Sequence, residues 1–456
     1  MVRPQRPHEP TSERTPDPAP EPASGARSGS GSDPDRAAGR WAPARVLAYT
    51  GLVVVLGVLA GLGAALLTWI LHATEEIVYG HGEEHGQVLT NGVEAWRMSL
   101  GVAVVSIVLA LAWWLLRRRV TLVGVEGMVA GKPTPVWGTV ANAAFQMIGV
   151  GAGLPVGREV APRELGGLAG ERLTARLGNH GLTEHDRRVL IGAAAGAGLA
   201  AVYQVPLGGA VFAMELLLAQ ISTTIAATCL SMSVIAVIVS RVVVDPVHQF
   251  AAPMLDSTDW HLLVWALVVG LLLGPFGGWF GDVADHVKAT SQRGNLTLLT
   301  LPLAGIATAV YAWWFPLVLG NGRAAMQTAF LGIGLGLALA TLVGKCLLTM
   351  LTLRAGAVGG TLAPGFAAGA LSGAILGHLA QLALPGIDVP IASLAVLGAA
   401  AVLATSLRGP ATGMLMIVGI TGQGHDAFAA LALAVGAAYA TSALRPKLPG
   451  VPRPRP

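Results

Sequence analysis

From Val46 to Leu71 the chain runs for 26 residues without a charge. A helix of that length rises about 39 Å, enough to cross about 30 Å of hydrocarbon with some tilt. Met98–Leu116 is a second uncharged run, closed by Arg117, Arg118 and Arg119. Hydrophobic residues make up 53% of the chain and charged residues 12%, where a soluble globule carries about 25% charge. A soluble protein is thereby excluded. The net charge of +4 comes without a basic stripe interleaved with aromatics, which argues against a nucleic-acid partner. Cys229 and Cys346 both lie in apolar runs, so neither a disulfide framework nor a thiolate metal site is expected.

Residues 1–42 are rich in Pro, Ser, Gly and charge and read as a disordered cytoplasmic tail. Arg40 and Arg45 before the first span and the triple Arg after the second place the N-terminus inside. An acidic loop holding Glu75, Glu76, Glu83, Glu84 and Glu94 is expected between these spans. Further apolar runs include Val189–Met214, Leu216–Ser240, Leu262–Gly281, Leu296–Leu319, Ala324–Gly344, Gly356–Ile387, Val389–Leu407 and Gly409–Gly424. Many are broken by Gly or Pro, and Gly totals 60 residues. Uniform spans need no such breaks, whereas discontinuous helices that meet near the midplane do. The expected class is an all-α integral membrane protein of tilted and broken helices, in the cell membrane, with a transport domain over 43–446 and a short tail over 447–456. Lys345 and Arg354 read as side chains that snorkel or face the cytoplasm.

Two regions resemble each other. The first reads Gly157-Arg-Glu-Val-Ala-Pro162, then Gly192-Ala-Ala-Ala195, then Pro206-Leu-Gly-Gly209. The second reads Gly360-Thr-Leu-Ala-Pro364, then Gly398-Ala-Ala-Ala401, then Pro410-Ala-Thr-Gly413. Pro162 and Pro206 are 44 residues apart, and Pro364 and Pro410 are 46. Such order points to two repeats, about 43–243 and 259–446, with a substrate between them.

Each half places a glycine-containing turn before a long apolar helix. Backbone N–H groups at such a terminus attract an anion, and the macrodipole adds to them. Candidate anion-binding positions are Gly157, Arg158 and Val160 in the first turn and Gly360, Thr361, Leu362 and Ala363 in the second. Glu159 lies inside the first turn. An ionisable side chain at membrane depth costs about 2.5–3.5 kcal/mol or more, so it implies function. A carboxylate among anion-binding N–H groups competes with the anion, and protonation empties the place it holds. Glu159 is therefore a candidate gate and proton carrier.

Gly157-Arg158-Glu159 resembles the Gly-Arg-Glu-Gly-Pro signature of the CLC chloride channels and proton-coupled chloride exchangers, whose Glu is the external gate. The stretch from Ala200 to Phe212 is similar to the family's Ala-Phe-Asn-Ala-Pro-Leu-Ala-Gly segment, and Gly360–Pro364 to its Gly-x-Phe-x-Pro, with Leu362 for Phe. Ser406–Gly413 resembles the next element of the second half. The likeness covers about residues 45–445. It implies two inverted repeats, a homodimer with one pore per subunit, a small anion such as chloride as substrate, and no cofactor. No C-terminal regulatory domain is expected. Proton counter-transport, a passive channel and a fluoride-selective variant all remain open.

Several positions depart from the family. Where its Gly-Ser-Gly-Ile-Pro loop should fall, Val120–Gly124 has no Ser, and Thr121 is the candidate hydroxyl. Val160-Ala161 replaces Gly-Pro, and no late Tyr stands in Lys447–Gly450. The family's internal proton-transfer Glu aligns with Leu216, leaving Glu215 one residue away as the candidate, or as a structural carboxylate. Arg163 and Glu164 read as a local ion pair. The stretch from His81 to His85 fits a zinc-protease pattern, but Gly80, Gly82 and Gly86 around it favour a solvated loop. A zinc-dependent intramembrane protease is thus the rival class, and no metal site is expected.

Overall fold

The computed structural model describes residues 43–80, 92–177, 181–242 and 250–445. The expected N-terminal tail, the His81–His85 stretch and the segment after Arg445 lie outside them. Among the described residues the fold is all-α, with no strand beyond one isolated bridge. Seven helices among these residues are long and apolar enough to cross a membrane.

The first half comprises α1 (Pro43–Tyr79), α2 (Ala95–Arg119), α3 (Val125–Val129), α4 (Val136–Gly151), α5 (Val160–Leu177), α6 (Glu184–Tyr203), α7 (Pro206–Phe212) and α8 (Thr223–Ser240). The second comprises α9 (Trp260–Ala289), α10 (Thr297–Ala312), α11 (Arg323–Leu331), α12 (Leu335–Arg354), α13 (Leu362–Ala383), α14 (Ile391–Leu407), α15 (Pro410–Thr421) and α16 (Phe428–Thr441). Some of the long apolar runs are subdivided at Gly or Pro, but α9 and α10 continue through Pro275 and Pro302. Val189–Met214 breaks at Gln204-Val205, between α6 and α7, and a π-helical turn, Ala213–Leu218, follows. The acidic loop is shorter than expected. α1 continues to Tyr79, so Glu75 and Glu76 are helical, and Glu75 is buried.

The repeat is visible in the backbone. α6 and α14 both end on a non-glycine residue in the left-handed region, Gln204 at φ 58° and Arg408 at φ 59°. Two residues later a proline, Pro206 or Pro410, starts the next helix at its first turn, where a missing N–H costs no hydrogen bond. α5 packs on α6 through Gly166 and Gly170, and α13 on α14 through Gly369 and Gly373. A Cβ on any of the four would collide with the facing backbone. Close backbone approach is how membrane helices gain packing where no hydrophobic effect separates them from lipid.

Polar side chains stitch the ends together. Thr183 and Asp186 form a capping box at the start of α6, and Asp186 also receives Arg45 from α1 at 2.7 Å. Asp282 of α9 accepts from Arg408 at 2.9 Å and from Arg445 at 2.6 Å, tying α9 to the end of α14 and the chain beyond α16. Asp282 is buried, and removal of one partner from a buried ionic group costs about 3–5 kcal/mol. Asp282→Ala is therefore expected to lower the unfolding temperature in detergent well below that of an exposed control such as Asp388→Ala.

Lys345 overturns an expectation. It is fully buried rather than snorkelling, because Val318 and Gly320 turn their carbonyls inward and Nζ donates to both. Donors on a helix stem thus satisfy carbonyls that the short Pro316–Val318 helix leaves open at its end.

Candidate functional site

The two glycine turns meet. Gly157 and Gly360 exchange backbone hydrogen bonds of 2.8 and 2.9 Å as an isolated antiparallel bridge. Glu159 emerges beside that bridge, 1% exposed. Its Oε1 accepts from the Leu362 backbone N–H at 2.6 Å. Leu362 opens α13, so a carboxylate of the first repeat sits on an unpaired first-turn donor of the second, where the dipole also favours negative charge. A Cβ on Gly157 or Gly360 would overlap this carboxylate, which is the physical reason for glycine at both positions. Oε2 lies 3.4 Å from the Tyr203 hydroxyl, a long contact. Arg158 is buried with its guanidinium 5.3 Å above the Tyr203 ring.

Below the bridge lies a cavity of about 280 Å³. It runs from Arg117 in the last turn of α2 and Arg293 in the loop between α9 and α10 to Val160 and Gly359 next to Glu159 and Gly360. Four basic residues (Arg117, Arg163, Lys288, Arg293) and two acidic ones (Glu126, Glu164) line it, giving an excess of two positive charges when all are ionised. Lys288 in the last turn of α9 donates to Thr361 Oγ1 at 2.9 Å. A cation is thereby fixed beside the turn that holds Glu159.

The predicted residues separate accordingly. Gly157, Glu159, Gly360, Thr361 and Leu362 converge, Val160 lines the cavity, and Ala363 is buried in the first turn of α13. Thr121 is exposed and does not line the cavity. Glu215 stands apart. Its carboxylate accepts from the Thr412 N–H at 2.8 Å, the Thr412 hydroxyl at 2.7 Å and the Ala411 N–H at 3.2 Å, so it caps α15. The expected Arg163–Glu164 pair is not formed. Arg163 Nε reaches back to the Glu159 carbonyl at 2.9 Å, and Glu164 Oε2 accepts from Asn142 and Gln146 of α4 at 2.8 and 3.2 Å. Residues four apart share a helix face, whereas neighbours diverge by about 100°. Tyr203 and Lys288 were not singled out from the sequence. Their only signals were a polar end on an apolar helix, which many structural residues share.

Facing repeats of broken membrane helices, joined at two glycine turns around a buried carboxylate, define a multi-pass ion-transport architecture. A family model described as voltage gated chloride channel matches residues 108–443, and the chain belongs to that family. Among curated relatives, the H(+)/Cl(-) exchange transporter ClcA of Vibrio cholerae is 29% identical over 319 residues, covering 66% of this chain and 66% of that protein. A putative chloride channel protein ClcB-like of Ralstonia nicotianae is 29% identical over 289 residues, 61% of this chain and 66% of the relative. Among solved structures, a slow cyanobacterial Cl−/H+ antiporter superposes with TM-score 0.70 at 19% identity, over 87% of this chain and 94% of that one. A CLC-type fluoride/proton antiporter gives 0.69 at 19%, over 88% and 96%. The shared fold is that of CLC transporters.

Proposed function

We propose that the chain carries chloride or a similar small anion across the cell membrane in exchange for protons, with Glu159 as the gate. The observation that carries this reading is the 2.6 Å bond from Leu362 N–H to Glu159 Oε1. A donor aimed at a carboxylate serves an anion equally well when the carboxylate leaves. Protonation removes the charge that holds Glu159 there, and the anion then takes the N–H groups. Partial charges from backbone suit a conducted ion, since a full countercharge would trap it. The exchanger names among the relatives support coupling to protons.

Residues 43–446 act as one transport domain, with repeats about 43–243 and 259–446, in a homodimer within the bilayer. The cavity faces the cytoplasm, as does the N-terminus, because Arg117, Arg118 and Arg119 end α2 on its side. Its basic excess concentrates anions below the gate.

Chloride efflux from liposomes holding purified protein, with external pH recorded, tests the reading. Efflux accompanied by proton movement supports exchange, and efflux without it reduces the protein to a channel. Lys288→Met is expected to slow anion turnover by about tenfold, the low end of what one-signed clefts do to local ion concentration, and Lys288→Arg to preserve most of it. Unchanged turnover in Lys288→Met would remove Lys288 from the pathway.

A further inference from the structure

The cavity poses a problem for proton delivery. Its positive excess attracts chloride but raises the free energy of a hydronium ion inside. Its volume is ample for water, and its lining extends to Val160, next to the gate. A group that binds a proton without carrying positive charge would lower the barrier, and a carboxylate in the wall does so.

Glu126 and Glu164 are the two acids that line the cavity. Glu126, on α3, is exposed at the mouth, and Glu164, on α5, is buried. Val160 and Glu164, four residues apart, share one face of α5, and both line the cavity, as does Arg163. Asn142 and Gln146 both bond to Oε2 of Glu164. Asn142 is held in turn by Trp113 Nε1 at 3.0 Å. Neither bond engages Oε1. A built support that fixes one oxygen of a buried carboxyl, on the wall of a water-sized cavity, suits proton handling more than packing. Glu215 lacks these features, since its carboxylate is spent on the start of α15 and it does not line the cavity.

The geometry points to Glu164 as the cytoplasmic proton relay of this transporter, in place of Glu215. This rests on the proton-coupled reading above. Glu164 takes a proton from vestibule water at its carboxylate, passes it through cavity water to the Glu159 carboxylate, and returns to its anionic form. Arg117, Glu126, Arg163, Lys288 and Arg293 are the charged neighbours that line this path.

The test measures chloride and proton flux together in liposomes. Glu164→Gln is expected to keep chloride efflux near the wild-type rate and to lower proton flux by about 100-fold or more, the scale of a lost proton-transfer group. Glu164→Asp should recover part of the proton flux, and Glu215→Gln should leave the proton-to-chloride ratio as in wild type. A coupled wild type with an unaltered ratio in Glu164→Gln would overturn the relay alone. So would chloride and proton flux falling in equal proportion, the pattern of a merely structural residue. A wild type that moves chloride without protons would overturn the coupled reading, and this inference with it.

Discussion

Liposomes carrying Glu159→Ala are expected to release chloride while the external pH stays flat. On the proposed reading one side chain both fills the anion position and carries the proton, because its Oε1 rests on the Leu362 N–H. Alanine leaves the N–H donors of α13 in place but provides neither a competing charge nor a titratable group. Anion movement then persists, and proton movement drops by about 100-fold or more, within the range for removal of a positioned acid–base group. Glu159→Gln should behave similarly for protons, since an amide does not exchange one at neutral pH. Proton movement that survived in Glu159→Ala would sink the gate assignment. Absence of chloride, nitrate and fluoride flux from both wild type and variant would refute transport itself.

The second large effect concerns stability rather than flux. Lys345 is fully buried, and its Nζ donates to the carbonyls of Val318 and Gly320 at the turn between α10 and α11. Lys345→Ala strips those donors and leaves a void the length of the side chain. Each buried acceptor left unsatisfied costs about 1–3 kcal/mol, and a large-to-Ala change in a packed interior adds about 2–5 kcal/mol. The variant should unfold in detergent far below the wild-type temperature or fail to accumulate. Lys345→Met keeps the stem and should fall between the two. A melting temperature for Lys345→Ala equal to that of wild type would refute the capping role.

The two glycine turns were legible because they are built from local pieces. Gly157–Glu159 and Gly360–Leu362 each announce a helix start within a few residues, and helix starts carry unpaired N–H groups wherever they occur. The partners of Glu159 were not legible on the same ground. Tyr203 is 44 residues away and approaches because α5 packs on α6 through Gly166 and Gly170. Lys288 belongs to the other repeat and is aimed by the end of α9 and the Thr361 hydroxyl. Arg163 and Glu164 show the limit most clearly. Adjacent opposite charges suggested a pair, but helical geometry sends them to different partners, Glu159 and the amides of α4.

The sequence by itself determined that this chain spans a membrane, that its helices are broken at repeated glycine and proline positions, and that a glutamate sits in one of the breaks. Those are properties of composition and of short-range backbone chemistry. Only the tertiary structure decided that Glu159 docks on the opposite repeat, that Lys345 is buried among carbonyls, and that Glu215 caps α15 while Glu164 faces the cavity. A side chain's surroundings depend on elements brought together from distant parts of the chain, and residue type and spacing do not encode that arrangement locally.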